Sequence, residues 1–475
     1  MDLKTSSISE ISDPYIPSSK STDLIKPKDA LEKEASSTAP NNEEFKVYKR
    51  RWAVLILFAF YSASNSMQWI QYSIINNIVS RYYGVSDKWI DWTSMIYMIL
   101  YIPLIFPGSW FLDKMGLRIT ALVGAFGTCI GAWVKVFSVK PDLFMVGFAG
   151  QSIVALSQVC ILSLPARLAA VWFGPDQVSS ACSVGVFGNQ LGVALGFVLP
   201  PMLVANNEDQ DMVGHDLQWM FNYVAGVTTV LAILMVLFFQ DKPPTPPSAA
   251  QKVALPGSIE AQNQVSFKTS LKNLMLNRNY ILLLISYGMN VGVFYAISTL
   301  LNPVVLKYYP GHEVDTGRIG LAIVLSGMLG SVVSGIVLDK SHKFKETTLA
   351  VYAFSMVGMW VFAFTLDTGS IAVVYVTASL LGFFMTGYLP VGFEFGAELT
   401  YPEPEGTSSG LLNAASQVFG IIFTSLYSWL LGDYGDITAN VTMAVMLIGG
   451  TIITALIGSD LRRQNAQATG NTGNP

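Results

Sequence analysis

Charge is scarce in this chain. Of 475 residues, 28 are Lys or Arg and 32 are Asp or Glu, so 13% are charged, against about a quarter in a soluble domain. Most of the chain therefore does not face water, and the net charge of −4 points to no polyanionic partner. No basic block flanked by aromatics is present, which argues against nucleic acid as a partner. Histidine is limited to His215, His312 and His342. All three read as loop residues, so no membrane segment offers an imidazole to haem iron. Cys129, Cys160 and Cys182 lie within apolar runs at irregular spacing, which suits packing rather than a disulfide frame or a metal site. There is no GxxxxGK[ST] loop for ATP. Nor is there a nucleophile–base or metal constellation, so an enzyme has the least support and no cofactor is called for. No apolar signal-peptide core precedes residue 52, and the first membrane segment is expected to serve as the targeting signal.

Apolar residues make up 52% of the sequence, and the mean hydropathy is +0.46. Crossing the ~30 Å hydrocarbon layer takes about 20 helical residues. Runs of that kind lie near 52–78, 90–112, 117–138, 143–171, 177–203 and 217–240, then near 279–306, 317–338, 347–366, 370–398, 408–432 and 438–459. Backbone groups in lipid must be satisfied within their own segment, so these are read as helices. The expected fold is an all-α membrane protein of twelve transmembrane helices in two six-helix pseudo-repeats. Residues 1–45, rich in Ser, Pro, Lys and Glu, read as a disordered cytoplasmic tail. A first half over 46–240 and a second over 279–460 flank a Pro- and Ser-rich linker at 241–278, and 461–475 form a closing tail. An amphipathic piece near Phe267–Leu276 is expected along the membrane surface. Gly185, Gly188, Gly192 and Gly196 suit close helix packing.

Basic residues set the expected orientation. Lys46, Lys49, Arg50 and Arg51 precede the first segment, Lys340, Lys343 and Lys345 follow the eighth, and Arg462 and Arg463 follow the last. The opposite loops hold Glu208, Asp209, Asp211 and Asp216. Both termini are therefore expected to be cytoplasmic. The sequon at Asn440 falls in a short outer loop and is expected to go unused.

Spacing reveals a duplication. Trp69 precedes Asp113 by 44 residues, and Tyr295 precedes Asp339 by the same 44. Pro175 lies 15 residues before Gln190, and Pro402 lies 15 before Gln417. The two series are about 226 residues apart, an internal repeat. Trp69 and Tyr295 fall near the middle of the lead segment of each half, where a carrier's site belongs. Two electron-rich rings facing one cavity suit a quaternary ammonium. Gln190 and Gln417, at matched depth, are buried amides that need partners; they suit a hydroxyl or a primary ammonium on such a substrate. Asn65, one turn before Trp69, with Gln71, Tyr97 and Met98, are further candidate wall residues. Ordinary helix packing is the alternative for each; the paired spacing favours a site.

Twelve segments in two halves around a linker resemble the major facilitator superfamily. The turn Gly335-Ile-Val-Leu-Asp339-Lys340 is similar to that superfamily's loop motif, and the copy ending in Asp113-Lys114 has Ser109 where glycine is usual. The resemblance implies a conformational latch at Asp113 and Asp339. Longer strings sharpen it: NSMQWIQY, YYGVS, AVWFG, ACSVGVFGNQLG, STLLN and GFFMTGYLPVGFEFGAELTYPEPEG resemble the feline leukaemia virus subgroup C receptor-related proteins, from about residue 46 to 463. The resemblance implies facilitative carriage of choline and ethanolamine, with haem as the earlier-described substrate, and it implies that the positions of Trp69, Tyr295, Gln190 and Gln417 contribute to the choline site.

No acid or base lies clearly at mid-membrane: Asp91, Lys135 and Arg167 fall near segment ends, as do Glu394 and Glu398. Intramembrane ionisable groups mark ion routes, so uniport is expected, with Arg167, Glu394 and Glu398 bracing the inner gate. A carrier of a small cationic substrate leads; a haem carrier and a receptor or regulator on a carrier fold are the alternatives. A monomer surrounded by lipid is expected, in the plasma membrane or alternatively an organelle membrane.

Overall fold

The structure, a computed structural model, describes residues 46–174, 177–247, 267–462 and 465. The expected tail at 1–45, Pro175, much of the linker, Arg463 and the rest of the closing tail lie outside the described residues, as does the side chain of Asp339. Among the described residues every regular element is helical. The helices are α1 Arg50–Ser66, α2 Asn76–Tyr83, α3 Asp87–Val136, α4 Phe144–Leu162, α5 Leu164–Trp172, α6 Val178–Leu203 and α7 Gln210–Phe238. They continue with α8 Phe267–Leu276, α9 Arg278–Tyr308, α10 Glu313–Ser341, α11 Phe344–Thr365, α12 Ile371–Thr400, α13 Glu405–Asp433 and α14 Asp436–Ala455.

Ten described helices are long and apolar enough to cross a membrane. The 50 residues of α3 hold two crossings, because the chain turns at Gly116 with φ 85 and ψ 175, a conformation that suits glycine. The first crossing is broken into α1, a 3-10 turn at Ser73–Ile75 and α2, with no piece longer than the 17 residues of α1. Together these give twelve crossings, six before the linker and six after it. The fold is all-α, as the sequence indicates.

Three expectations need correction. The first segment is not one helix, because α1 ends at Ser66. The sequence there is Ser62-Ala-Ser64-Asn65-Ser66, whose short polar side chains compete with the helix: Ser64 Oγ donates to Tyr61 O at 2.7 Å and Ser66 Oγ to Ser62 O at 2.9 Å. Asn440 is not in a loop; it is fully buried in α14 and accepts a hydrogen bond from the Tyr427 hydroxyl. His215 lies in the first turns of α7, where its Nε2 accepts from Trp219 Nε1 at 3.1 Å.

Glycine sets the packing within each half. A Cβ on Gly188 would lie 2.7 Å from Ala59 Cα, one on Gly192 2.6 Å from Ala63 Cα, and one on Gly196 2.5 Å from Met67 O. The fifth crossing, α6, thus lies directly on α1 and on the start of the break. In the second half Gly288 and Gly292 of α9 do the same against Phe419 of α13. Close backbone approach through small residues is the usual route to helix association in lipid.

The halves meet at the face away from α1's start, here called the far face. Asn302 Nδ2 donates to Ile74 O at 2.8 Å and to Asn77 Oδ1 at 3.0 Å. Buried Glu313 accepts from Asn77 Nδ2 at 3.1 Å and from Asn206 Nδ2 at 2.6 Å. Ser94 meets Thr299 at 2.9 Å, and Phe197 sits where a Cβ on Gly317 or Gly320 would go.

Candidate substrate site

Between α1 and the 3-10 turn lie Met67 to Tyr72, a stretch without regular helix. Its first N–H groups still bond backwards, Met67 N to Ala63 O at 2.9 Å and Trp69 N to Ser66 O at 3.2 Å. Ile70 O and Tyr72 O accept from Ile74 N and Ile75 N, but the carbonyls of Gln68 and Trp69 need other donors, since lipid offers none. Gln151 of α4, fully buried, provides them: Nε2 donates to Gln68 O at 2.8 Å and to Thr93 O at 3.1 Å, with Trp69 O at 3.5 Å.

Trp69, only 7% exposed, projects from this stretch to the second half. Its ring meets that of Tyr295, on the unbroken helix α9, with centroids 5.6 Å apart and planes at 73°. Rings at nearly a right angle present two π faces to one corner, the electrostatic requirement for an organic cation. Gln417, buried on α13, donates from Nε2 to the Tyr295 hydroxyl at 3.3 Å. Gly420, one turn further on, leaves the space that Tyr295 and Met98 fill: a Cβ there would lie 2.8 Å from Tyr295 Cδ2 and 2.9 Å from Met98 Sδ. The structure therefore brings together Trp69, Tyr295, Gln417 and Met98 from both halves.

Other candidates stand elsewhere. Asn65 does not share a helix face with Trp69, because the helix ends between them; its Nδ2 donates to Thr128 Oγ1 at 2.8 Å and to Val154 O at 3.1 Å, inside the first half. Gln71 likewise points inward, its Oε1 accepting from Lys135 Nζ at 3.1 Å. Tyr97 is buried, and its hydroxyl has no partner among the described residues. Gln190 is half-buried on α6, beside Asn189, whose carbonyl accepts from Ser66 Oγ at 2.8 Å. Fully buried Asn290 of α9, which the sequence reading passed over, has no partner for either polar atom among the described residues; a lone amide in an apolar run is the signal that could have found it.

Of the latch candidates, Asp113 is exposed on α3 and Arg167 half-buried on α5, and neither pairs with a described residue. Glu394 is exposed and Glu398 buried on α12. Contact at the Gly116 turn falls to Asp241 instead, whose Oδ1 accepts from Arg118 N at 3.0 Å, while the Arg118 guanidinium reaches Val236 O at 3.0 Å. Lys135 is near a segment end but folds inward, 1% exposed. Among the described residues no group of three or more His, Cys, Asp or Glu could hold a metal.

Two related six-helix sets, joined across one face and sharing an aromatic pair between them, are the plan of a membrane carrier. The family model for the Major Facilitator Superfamily matches residues 53–425. The choline/ethanolamine transporter flvcr2b of Danio rerio is 54% identical over 90% of this chain and 88% of its own length. The choline/ethanolamine transporter FLVCR2 of Homo sapiens is 53% identical over 89% and 80%, and FLVCR1 of Felis catus is 52% identical over 88% and 74%. Among solved structures, a bacterial homolog of the human lysosomal transporter Spinster aligns with a TM-score of 0.70 at 11% identity, covering 88% of this chain and 99% of that one. The E. coli fucose:proton symporter FucP aligns at 0.58 and 15% identity, over 87% and 100%. The chain belongs to the Major Facilitator Superfamily, within its feline leukaemia virus subgroup C receptor-related branch. It is a multi-pass membrane transporter and not an enzyme.

Proposed function

We propose that the protein is a uniporter for choline and ethanolamine, and that the substrate ammonium rests in the corner between Trp69 and Tyr295. The observation that carries this reading is the edge-to-face contact of these two rings across the halves, with Gln417 on the Tyr295 hydroxyl. A trimethylammonium group cannot donate hydrogen bonds and is cheap to desolvate, and each ring offers it roughly 0.5–2 kcal/mol. Relatives more than half identical carry the name choline/ethanolamine transporter. Gln417 and, after a rotation of α6, Gln190 provide amides for the hydroxyl of choline or the ammonium of ethanolamine. The far face is the outer one in the expected orientation, with both termini cytoplasmic, so the described state is closed to the outside. Transport then follows from rocking the halves about the aromatic pair. The plasma membrane is the proposed location, with Asp113 and Asp339 acting at the cytoplasmic face in the opposite state.

Uptake of radiolabelled choline by cells expressing the protein tests this, beside Trp69→Ala and Tyr295→Ala at matched surface level and with haem as competitor. Uptake that both substitutions lower and haem leaves unchanged is the expected result. A parent protein that takes up no choline overturns the substrate assignment. Uptake that survives collapse of the sodium and proton gradients at fixed membrane potential is expected of a uniporter.

A further inference from the structure

We propose that Lys135 and Gln151 are positioning residues for Trp69: they hold the unwound stretch of the first crossing in the shape that turns its indole to the second half. The inference rests on the carrier reading above for its transport readout.

Unwinding in lipid leaves carbonyls without donors, and an unpartnered polar group there costs several kcal/mol. Gln151 meets this need with one amide, donating to Gln68 O at 2.8 Å and Thr93 O at 3.1 Å, with Trp69 O at 3.5 Å. These contacts tie the break to the second and fourth crossings. Lys135 holds the amide in that orientation from its other end: Nζ donates to Gln151 Oε1 at 2.9 Å, which leaves the Gln151 NH2 facing the carbonyls. The same amine donates to Gln71 Oε1 at 3.1 Å and lies 5.7 Å from the centre of the Tyr72 ring. Trp69 is thereby bracketed, with its preceding carbonyl held through Gln151 and the side chain two residues on held by Lys135.

Without the break, stability would give no reason for this arrangement. Lys135 is 1% exposed, Gln151 fully buried, and no described carboxylate pairs with the amine. An apolar side chain of similar volume would fill the space at lower desolvation cost. The repeat supplies an internal control. Its offset of 226 residues carries Gln71, Lys135 and Gln151 to Ile297, Val361 and Thr377. The first two are apolar, and the Thr377 hydroxyl bonds back to Val373 O in its own turn at 3.0 Å. In that half the lead helix α9 runs unbroken from Arg278 to Tyr308. The polar triad is found where the lead crossing is broken and is replaced where it is continuous.

The test compares Gln151→Glu, which keeps an acceptor for Lys135 but loses the NH2 donors, with Lys135→Met, which removes the donor at similar length. Choline and ethanolamine uptake are measured at matched surface level, singly and in a Trp69→Ala background. Displacement of the indole by about an ångström is expected to raise the KM for choline on the order of tenfold, with little change in maximal rate per surface molecule. The choline-to-ethanolamine preference is expected to fall. Neither change should add to the effect of Trp69→Ala, since all three act through one ring. Lower surface amount with unchanged KM and preference, or full additivity with Trp69→Ala, overturns the proposal. Should the single variants fail to reach the surface, the paired Lys135→Met/Gln151→Met protein is measured in their place, with the same expected and overturning outcomes. Fluorine NMR of 5-fluorotryptophan protein, with the Trp69 signal assigned from Trp69→Phe, reads the same point without any substrate. That signal moves in the variants if the proposal holds and stays if it does not, even where the parent carries neither amine.

Discussion

Asp91 of α3 accepts a hydrogen bond from Ser428 of α13 at 2.6 Å, and the two residues belong to opposite halves. Asp91 is 2% exposed, and its second carboxylate oxygen has no partner among the described residues. The closed far face therefore keeps a carboxylate on a single bond, and rocking the halves apart would return it to water. Ser428→Ala removes that bond and leaves the carboxylate bare. The bond contributes about 0.5–1.5 kcal/mol to a neutral carboxyl and about 1.5–3 kcal/mol to an ionised one, so the closed state should lose about twofold in population at least, and about tenfold or more where Asp91 is ionised. The check is the rate at which an impermeant maleimide, added outside, modifies Thr299→Cys in a protein lacking its three native cysteines. That rate should rise about as much.

Tyr295 has two roles that separate by substitution. Tyr295→Phe keeps the ring against Trp69 and loses the bond from Gln417. The neutral bond is worth about 0.5–1.5 kcal/mol, so a rise in choline KM of roughly two- to tenfold is expected. Tyr295→Leu loses the π face as well and should cost more. Uptake kinetics for choline, run beside the parent, distinguish them.

Packing at the glycine stripe is close enough to forbid one carbon. Gly192→Ala would set its Cβ 2.1 Å from Ser66 Oγ and 2.6 Å from Ala63 Cα, and backbone cannot yield as a flexible side chain does. Overpacking of this kind costs about 1–3 kcal/mol. A lower melting temperature in detergent and reduced surface amount are expected. Gly226→Ala, which would meet nothing within 4 Å, is the control and should leave both unchanged.

At the opposite face, Asp241→Ala takes the acceptor from Arg118 N just after the Gly116 turn. Loss of a helix cap costs about 1 kcal/mol, which a thermal melt should register as a fall of a few degrees. Asp241→Asn retains a carbonyl oxygen and should recover most of it.

Much of this was legible from spacing. Long apolar runs placed the crossings, and the matched offsets from Trp69 to Asp113 and from Tyr295 to Asp339 paired two aromatics that the structure brings to 5.6 Å. The break at Met67–Tyr72 was not legible, because it contains neither proline nor glycine and reads as a continuation of the apolar run. Treating it as helix put Asn65 and Gln71 on the wall of the site, whereas the unwound backbone turns both into the first half. Lys135 was hidden for a related reason: position along a crossing reports depth, but not the four-carbon reach that carries its amine to Gln71 and Gln151. Asp241 escaped notice because its partner is a backbone N–H more than a hundred residues away.

The hydrogen bonds of the far-face seam join amides and hydroxyls, Asn77, Asn206, Asn302, Ser94 and Thr299, with the carboxylate of Glu313. Such groups exchange a protein partner for water at nearly even free energy, since the net value of each bond is only about 0.5–1.5 kcal/mol. Hydration thus acts as the lubricant of this joint. If the halves rock as proposed, each opening trades one set of hydrogen bonds for another, so the polar contacts that seal the face also release it.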